Sequence, residues 1–336
     1  DEAAIAIKDT TGTVNINNAG TITSKAQGIL NSGSTIASLT NSGTLSTTGT
    51  GTSSAINGSL RNTGASTITT LTNSGTMKGT KSKSSGIVNE GTISTLTNSG
   101  TIQGTGTTIS YGLYSNGSIA RTENSGSITS TNSSGLYNLG TFNELINTTG
   151  SGISSTNSHG LQNDGTITWL INSGTISTES ASSYGVYNTS PNTIVNFVNE
   201  GSITSNNDGV NNNSGAITNF ENSGTISSGV GFFDIDHTSG SITNLYNSQG
   251  FNQRATSDPL TLTGNLPTNY YVHIDSTTDY GQLSVTSGSG NINFGITEGS
   301  VIGVPTATQI TYSSAATLNP NDGVAYQIDG NGTDIT

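Results

Sequence analysis

The sequence predicts an all-β chain, a right-handed parallel β-helix with coils of about 25 residues and three short strands per coil. Three observations support this fold class. A unit containing an Asn-Ser-Gly-type turn recurs nine times, β-branched residues lie between Gly-rich breaks, and only 29% of the residues are hydrophobic. One unit offers about four apolar side chains, so a core can form only when successive units stack.

The repeat unit reads Gly-(Ile/Leu/Val)-x-Asn-x-Gly-(Thr/Ser)-Ile-x-x-Leu-x-Asn-Ser-Gly-Thr-Ile, followed by a variable polar segment. Its clearest copies occupy residues 86–102 and 160–176, and a degenerate copy occupies residues 12–22. High Gly, Ser, Thr and Asn content gives the unit poor helix propensity. The predicted units start at Gly28, Ala55, Gly86, Gly112, Gly135, Gly160, Gly185, Gly209 and Gly231.

Alignment of the units predicts four apolar columns, each stacked on itself at the strand spacing of about 4.8 Å. The first is Ile29, Ile56, Ile87, Leu113, Leu136, Leu161, Val186, Val210 and Phe232. The second is Ile36, Ile68, Ile93, Ile119, Phe142, Ile167, Ile194, Ile217 and Ile242. The third is Leu39, Leu71, Leu96, Thr122, Leu145, Leu170, Phe197, Phe220 and Leu245. The fourth is Leu45, Met77, Ile102, Ile128, Ile153, Ile176, Ile203, Ile226 and Phe251.

A column of asparagines precedes the second turn of each unit. Asn tolerates corner conformations and can hydrogen-bond to its own copy in the next coil, so we expect a structural ladder. The Gly that follows is expected to supply a positive φ. A ligand-binding asparagine stripe is the alternative interpretation. The column is Asn41, Asn73, Asn98, Asn124, Asn147, Asn172, Asn199, Asn222 and Asn247.

The repeat weakens after residue 253. We predict a repetitive β-helix over residues 1–253, with an altered continuation or cap over residues 254–336, where four of the five prolines lie. A cap would cover the unpaired strand edges at the end of a solenoid. The chain opens at Asp1 without a visible signal peptide, which suggests a mature or trimmed fragment.

Composition excludes several function classes. A net charge of −12 with only 8 basic residues argues against binding to nucleic acid. The absence of cysteine excludes thiolate metal sites, thiol catalysis and disulfides. No apolar run reaches the roughly 18 residues that a membrane helix needs. We therefore expect no nucleic-acid partner, no membrane span, no metal and no cofactor.

The NSGTI-rich coils of residues 12–250 resemble the passenger regions of bacterial autotransporter adhesins of the self-associating and diffuse-adherence type. Residues 279–296, which begin Asp-Tyr-Gly-Gln-Leu-Ser-Val-Thr, look like the segment that precedes the membrane barrel in that family. The 336 residues contain no such barrel, so the resemblance implies a passenger region or part of one. It implies a location at the bacterial cell surface or in secreted form, and roles in adhesion, aggregation or biofilm formation.

The partners implied are the same protein on neighbouring cells, or a host glycan or surface protein. A secreted toxin of the vacuolating-cytotoxin kind is an alternative, although it would need an apolar membrane-inserting segment. A β-helix that binds or processes glycans is another. The closest acidic pair for glycan hydrolysis is Asp234 and Asp236, with Asp275 and Asp279 as a second option. The three histidines, His159, His237 and His273, show no catalytic pattern, so we expect no enzyme activity.

Aromatic residues point to a binding face. Tyr114, Tyr137, Tyr187 and Phe233 each follow the first apolar column, so strand alternation places them outside. Stacked aromatics that merely stabilise a strand face are the alternative. The candidate partner-binding residues are Tyr114, Tyr137, Asp164, Trp169, Tyr187, Glu200 and Phe233.

Overall fold

The structure, a computed structural model, describes residues 3–49, 56–251, 258–276, 279–298 and 300, apart from the side chains of residues 251 and 279. The described residues form β-strands and no helix. Their strands stack as a three-sided β-solenoid, which confirms the predicted fold class. The predicted unit start at Ala55 and most of the predicted cap lie outside the described residues.

Each coil up to Ser227 adds one strand to each of three parallel sheets, here named A, B and C in chain order, and the later coils add strands to sheets A and B. Sheet A contains Ile5–Lys8, Ile29–Ser32, Asn57–Asn62, Ser84–Asn89, Leu113–Ser115, Leu136–Asn138, Leu161–Asn163, Val186–Thr189, Val210–Asn213, Ile235–His237, Leu260–Asn265 and Leu283–Ser289. Sheet B contains Val14–Asn18, Thr35–Asn41, Thr67–Asn73, Thr92–Asn98, Ser118–Asn124, Thr141–Asn147, Thr166–Asn172, Thr193–Asn199, Ala216–Asn222, Ser241–Asn247, Asn269–Val272 and Asn293–Ile296. Sheet C contains Thr21–Ser24, Thr44–Thr47, Thr76–Gly79, Thr101–Gly104, Ser127–Ser130, Gly152–Ser155, Thr175–Thr178, Ser202–Thr204 and Thr225–Ser227.

The core lies along the axis and consists of the predicted columns. Strand pairing aligns the second and third columns residue for residue, from Ile36 to Ile242 and from Leu39 to Leu245. Nearly every member is completely buried. The rings of Phe197 and Phe220 stack at 4.4 Å between centroids. Each coil thus contributes few apolar groups, but the column as a whole is continuous, which reconciles a folded chain with low hydrophobicity.

Three column members were wrongly predicted. Leu60, not Ile56, pairs with Ile29 and Ile87, because the coil before it is longer than the others. Ile235, not Phe232, pairs with Val210, and Phe232 is 41% exposed. Residue 251 leaves the fourth column, since its strand Gly250–Phe251 pairs antiparallel with Asp279–Gly281 instead of joining sheet C.

The predicted asparagine ladder is confirmed at the corner between sheets B and C. Each amide is buried and donates to the carbonyl of the next coil's asparagine, beginning at Asn18 and ending at Asn247, at 2.7–3.2 Å. A second buried ladder lies at the corner between sheets A and B, with Ser115 in place of one asparagine. Its asparagines are Asn31, Asn62, Asn89, Asn138, Asn163, Asn188 and Asn212.

The glycines of the Asn-Ser-Gly turns have a different role from the predicted one. Gly33, at the corner between sheets A and B, has a positive φ, as do Gly150, Gly231, Gly264 and Gly290. At the corner between sheets B and C, only Gly150, in the Asn-Thr-Thr-Gly turn after Asn147, has the predicted positive φ, and the glycines of the Asn-Ser-Gly turns there do not. A Cβ added in those turns would instead lie about 2 Å from a carbonyl oxygen of the preceding coil, as at Gly126 against Gly100. The glycines therefore permit close stacking of successive corners.

Sheets A and B continue to Ser289 and Ile296, whereas sheet C ends at Ser227. Beyond it, Gly250–Phe251, Ile274–Ser276 and Asp279–Gly281 form a three-stranded antiparallel sheet. The division of the chain at residue 253 stays a prediction.

Candidate recognition surfaces

The outward face of sheet A displays half-buried aromatic rings over four successive coils. Strand pairing places Tyr114, Tyr137, Gln162 and Tyr187 in one outward column. A second column lies three residues earlier in each coil and contains Tyr111, Ser134, His159 and Tyr184. We call these residues, together with Asp164, the tyrosine face. The predicted alignment of Tyr114, Tyr137 and Tyr187 is confirmed.

The rings of the tyrosine face form two triplets. In the first, Tyr111 lies 5.5 Å from Tyr114 and 5.1 Å from Tyr137. In the second, His159 lies 4.5 Å from Tyr187 and 5.3 Å from Tyr184. Centroid distances in this range are favourable for aromatic pairs. The two triplets are interrupted only in the tyrosine column, where Gln162 replaces tyrosine, since His159 of the same coil belongs to the second triplet.

Asp164 lies at the corner of that same coil, where it contacts Tyr137 of the first triplet and Thr189 on the strand that carries Tyr187. Its Oδ2 accepts hydrogen bonds from the Tyr137 hydroxyl at 2.6 Å and from Gln162 Nε2 at 3.1 Å. Its Oδ1 accepts from the Thr189 hydroxyl at 2.5 Å. Charge-assisted bonds of this kind fix the carboxylate and the Tyr137 ring in one arrangement.

Burial and the Asp164 charge control the titration of these rings. Burial raises the pKa of Tyr111 to about 12, with smaller contributions from Tyr114 and Asp164. Burial also lowers the pKa of His159 to about 4, against the opposing influence of Asp164. His159 is therefore neutral at pH 7, and its Nδ1 accepts the backbone N–H of Tyr184 at 3.1 Å. The Nε2 atom then carries the proton and is a donor.

A second surface lies on the outward face of sheet B. Trp169 is 42% exposed, as predicted, and pairs with Glu144 on one side and Asn196 on the other. The next outward column places Ile146, Ile171 and Val198 in direct register, all half-buried. We call these four apolar residues the tryptophan patch. They stand on a sheet whose first outward coils carry mainly Ser and Thr.

From the tryptophan patch an outward ladder of asparagines runs along sheet B. Each member donates from Nδ2 to the Oδ1 of the preceding one, at 2.8 Å for three links and 3.0 Å for the last. We call it the outer ladder, and its members are Asn196, Asn219, Asn244, Asn269 and Asn293. Beside it, Tyr246 and Tyr271 stack at 4.6 Å with an interplanar angle of 11°. The sequence analysis missed the outer ladder, although its asparagines recur at intervals close to the repeat length.

Two predicted partner-binding residues lie apart from these surfaces. Glu200 is exposed at the corner between sheets B and C, where it accepts a hydrogen bond from the Ser173 hydroxyl at 2.8 Å. Phe233 falls outside the tyrosine column, because Asp236 occupies the position that follows Tyr187 and Asn211. It aligns instead with the column of Tyr184, and its predicted register was wrong.

The carboxylates of the acidic pair Asp234 and Asp236 are both engaged in hydrogen bonds. Asp234 is buried and accepts the N–H groups of Ser228 and Thr261 at 3.1 and 2.9 Å. Burial raises its pKa, and these bonds oppose the rise. Asp236 accepts from Asn211 Nδ2 at 3.0 Å and from the Thr238 hydroxyl. Both carboxylates therefore have structural partners.

The remaining histidines also have local roles. His237 takes the place of an asparagine in the ladder between sheets A and B and is completely buried. Burial lowers its pKa. His273 lies between Thr297 Oγ1 at 2.7 Å and Asp275 Oδ1 at 3.2 Å. It lines a cleft of about 460 Å³ with Glu221, Tyr246 and Glu298.

Among the described residues, no group of three or more His, Asp or Glu side chains is placed to hold a metal ion. In the same part of the chain, no helix has the length and apolarity needed to cross a membrane. No protein-family model, curated protein or solved structure matches the chain.

Proposed function

We propose that this chain is a bacterial adhesin, displayed at the cell surface or shed, that associates with further copies of itself through the outward face of sheet B. In this proposal it is the passenger region of an autotransporter, and it acts by binding rather than by catalysis. Self-recognition between cells would lead to aggregation and biofilm formation. The main observation that supports the proposal is the outer ladder, which begins next to the tryptophan patch and continues along sheet B.

The outer ladder can pair with the outer ladder of a second copy because its hydrogen-bonding groups repeat at a regular spacing. Each inner member, Asn219, Asn244 and Asn269, uses one N–H and one lone pair within the ladder, and its second N–H and second lone pair remain available. They recur at the strand spacing of about 4.8 Å. Another copy of the solenoid carries the same groups at the same spacing, so a side-by-side contact satisfies many of them at once. Each hydrogen bond contributes only about 0.5–1.5 kcal/mol, but many weak bonds act together.

The tryptophan patch would supply the apolar part of the contact. Trp169 and its neighbours Ile146, Ile171 and Val198 expose apolar surface, and large exposed hydrophobic side chains are few among the residues that the structure describes. Exposed aromatic and aliphatic groups surrounded by polar residues are typical of protein interfaces. Acidic net charge would weaken contacts between copies at low salt, so salt should strengthen the association.

Sedimentation velocity from low to high micromolar concentration tests the proposal. We expect reversible growth from monomer to larger species for the natural chain. Trp169→Ser removes the centre of the patch, and Thr243→Asp adds an exposed charge on sheet B next to the outer ladder. Each should weaken association by about tenfold or more, since one buried contact is worth at least about 1.4 kcal/mol.

Thr175→Asp is the matched control, because Thr175 is an equally exposed strand threonine on sheet C and the substitution adds the same charge. It should leave the association unchanged. A natural chain that stays monomeric at every concentration would refute self-association. Equal weakening by the control would refute the assignment to sheet B and leave only a general charge effect.

A further inference from the structure

The tyrosine face on sheet A has no part in the proposed contact between copies, and its chemistry is different. It combines aromatic rings, a fixed carboxylate and a glutamine within four coils. Stacking alone does not account for this composition, because the tyrosine column is interrupted in the middle. Tyr137 and Tyr187 lie two coils apart, with the shorter, polar Gln162 between them.

We propose that the tyrosine face is a binding site for an uncharged oligosaccharide, whose sugar rings pack on Tyr137 and Tyr187 over Gln162 and Asp164. The two tyrosines are about 9.6 Å apart along the axis, which is two strand spacings. This separation spans a disaccharide. The apolar C–H face of a pyranose packs on the negative face of an aromatic ring, while its hydroxyls remain free for hydrogen bonds.

The polar groups between the rings still have capacity for such hydrogen bonds. The Tyr187 oxygen accepts from Asn213 Nδ2 at 3.1 Å, so its own O–H can donate to a ligand. The Asp164 carboxylate accepts three hydrogen bonds, and two carboxylate oxygens offer about four acceptor sites. His159 contributes the N–H of its Nε2. Both donors and acceptors are thus present around the gap, as a sugar with several hydroxyls requires.

The negative charges on and beside the tyrosine face disfavour the binding of acidic sugars. Asp164 lies within the face, and Asp208 and Asp236 follow along the same side of sheet A. Arg61, whose charge acts on Tyr114, is paired with Glu90 at 3.0 Å. A uronate or sialate would therefore meet carboxylates, while the charge of Arg61 is already offset by Glu90. The same argument disfavours a phosphorylated ligand.

Isothermal titration calorimetry with tetrasaccharides tests the inference. The uncharged probes are N-acetylchitotetraose, cellotetraose and maltotetraose, and the acidic probe is a hyaluronan tetrasaccharide. We expect at least one uncharged probe to bind and the acidic probe to bind at least about tenfold more weakly. Failure of every uncharged probe, or a preference for the acidic one, would overturn the proposal.

Variants then locate the site. Tyr187→Ala should lower affinity about tenfold or more, whereas Tyr187→Phe, which keeps the ring, should lose much less. Tyr246→Ala removes a stacked tyrosine from sheet B and is the matched control, with no expected effect. Trp169→Ser should likewise leave sugar binding intact. A negative result for sugar binding can therefore be distinguished from a negative result for self-association.

Gln162→Tyr distinguishes a sugar-binding role of the tyrosine face from a purely structural role of ring stacking. This test can be made even if Tyr187→Ala does not fold. The substitution completes the tyrosine column, so the solenoid should remain folded while the gap between the triplets is filled. We expect this variant to lose sugar binding. A folded Gln162→Tyr chain that binds the sugar as well as the natural chain would show that the gap is not the site.

Discussion

At the scale of single residues, the structure depends on buried amides as much as on apolar groups. Asn147 illustrates this, since its Nδ2 donates to Asn172 Oδ1 at 2.8 Å and to the Thr175 carbonyl at 3.1 Å. An unpaired buried amide would cost about 1–3 kcal/mol. The ladder avoids that cost because each coil supplies the partner for the next. Among the described residues, four buried side-chain atoms have no hydrogen-bond partner, and Thr122 Oγ1 is one of them.

Thr122 interrupts the third apolar column, and its buried Oγ1 has no hydrogen-bond partner. Thr122→Val replaces the hydroxyl by a methyl group of nearly the same shape. We expect it to stabilise the chain by about 1–2 kcal/mol, because the desolvated hydroxyl is removed. The midpoint of urea unfolding measures the change. A lower midpoint would show that the hydroxyl has a partner, such as an ordered water.

At the scale of the secondary-structure element, the corners determine how closely the coils stack. The sequence identified the Asn-Ser-Gly corners but assigned their glycines to the wrong cause. Gly126 illustrates the difference, since a Cβ there would lie 2.1 Å from the Gly100 carbonyl oxygen. This steric contact involves two coils, so it cannot be read from one repeat.

Gly126→Ala should therefore destabilise the chain by about 1–3 kcal/mol, the usual cost of overpacking a tight contact. Gly152→Ala is the matched control, because Gly152 lies in sheet C one coil later and a Cβ there meets no atom within 4 Å. We expect the control to be neutral or slightly stabilising. Thermal unfolding followed by circular dichroism distinguishes the two. Equal melting temperatures for both variants would contradict the proposed role of Gly126.

The prediction of strand alignment depended on the Gly-x-x-Asn spacing, so it was correct where that spacing is kept and wrong where it is lost. Where the Gly-x-x-Asn spacing is intact, as around Ile87 and Leu161, the column members were predicted correctly. At Leu60 the preceding glycine is Ser59, and at Ile235 the ladder asparagine is His237, so the repeat signal was lost. Asn62, which lies two residues after Leu60, was the remaining sequence signal that could have assigned Leu60 to the first apolar column.

At the scale of the whole molecule, the solenoid presents its faces as straight columns. The sequence predicted outward positions for Tyr114, Tyr137, Tyr187 and Trp169, since these follow from strand alternation. It did not show that Asp164 would accept hydrogen bonds from the hydroxyls of Tyr137 and Thr189 in the neighbouring coils, or that five asparagines would align beside Trp169. Both depend on which coils are neighbours and how far each side chain reaches, and the repeat pattern alone does not contain that information.

Trp169 is the single tryptophan of the sequence, so intrinsic fluorescence reports directly on the proposed contact between copies. We would record its emission spectrum and its quenching by acrylamide from low to high micromolar protein concentration. If sheet B mediates self-association, the emission should shift to shorter wavelength and quenching should weaken as the concentration rises, because the exposed ring becomes buried. An emission maximum and a quenching constant that stay the same while the chain assembles would place the contact elsewhere and contradict the proposal.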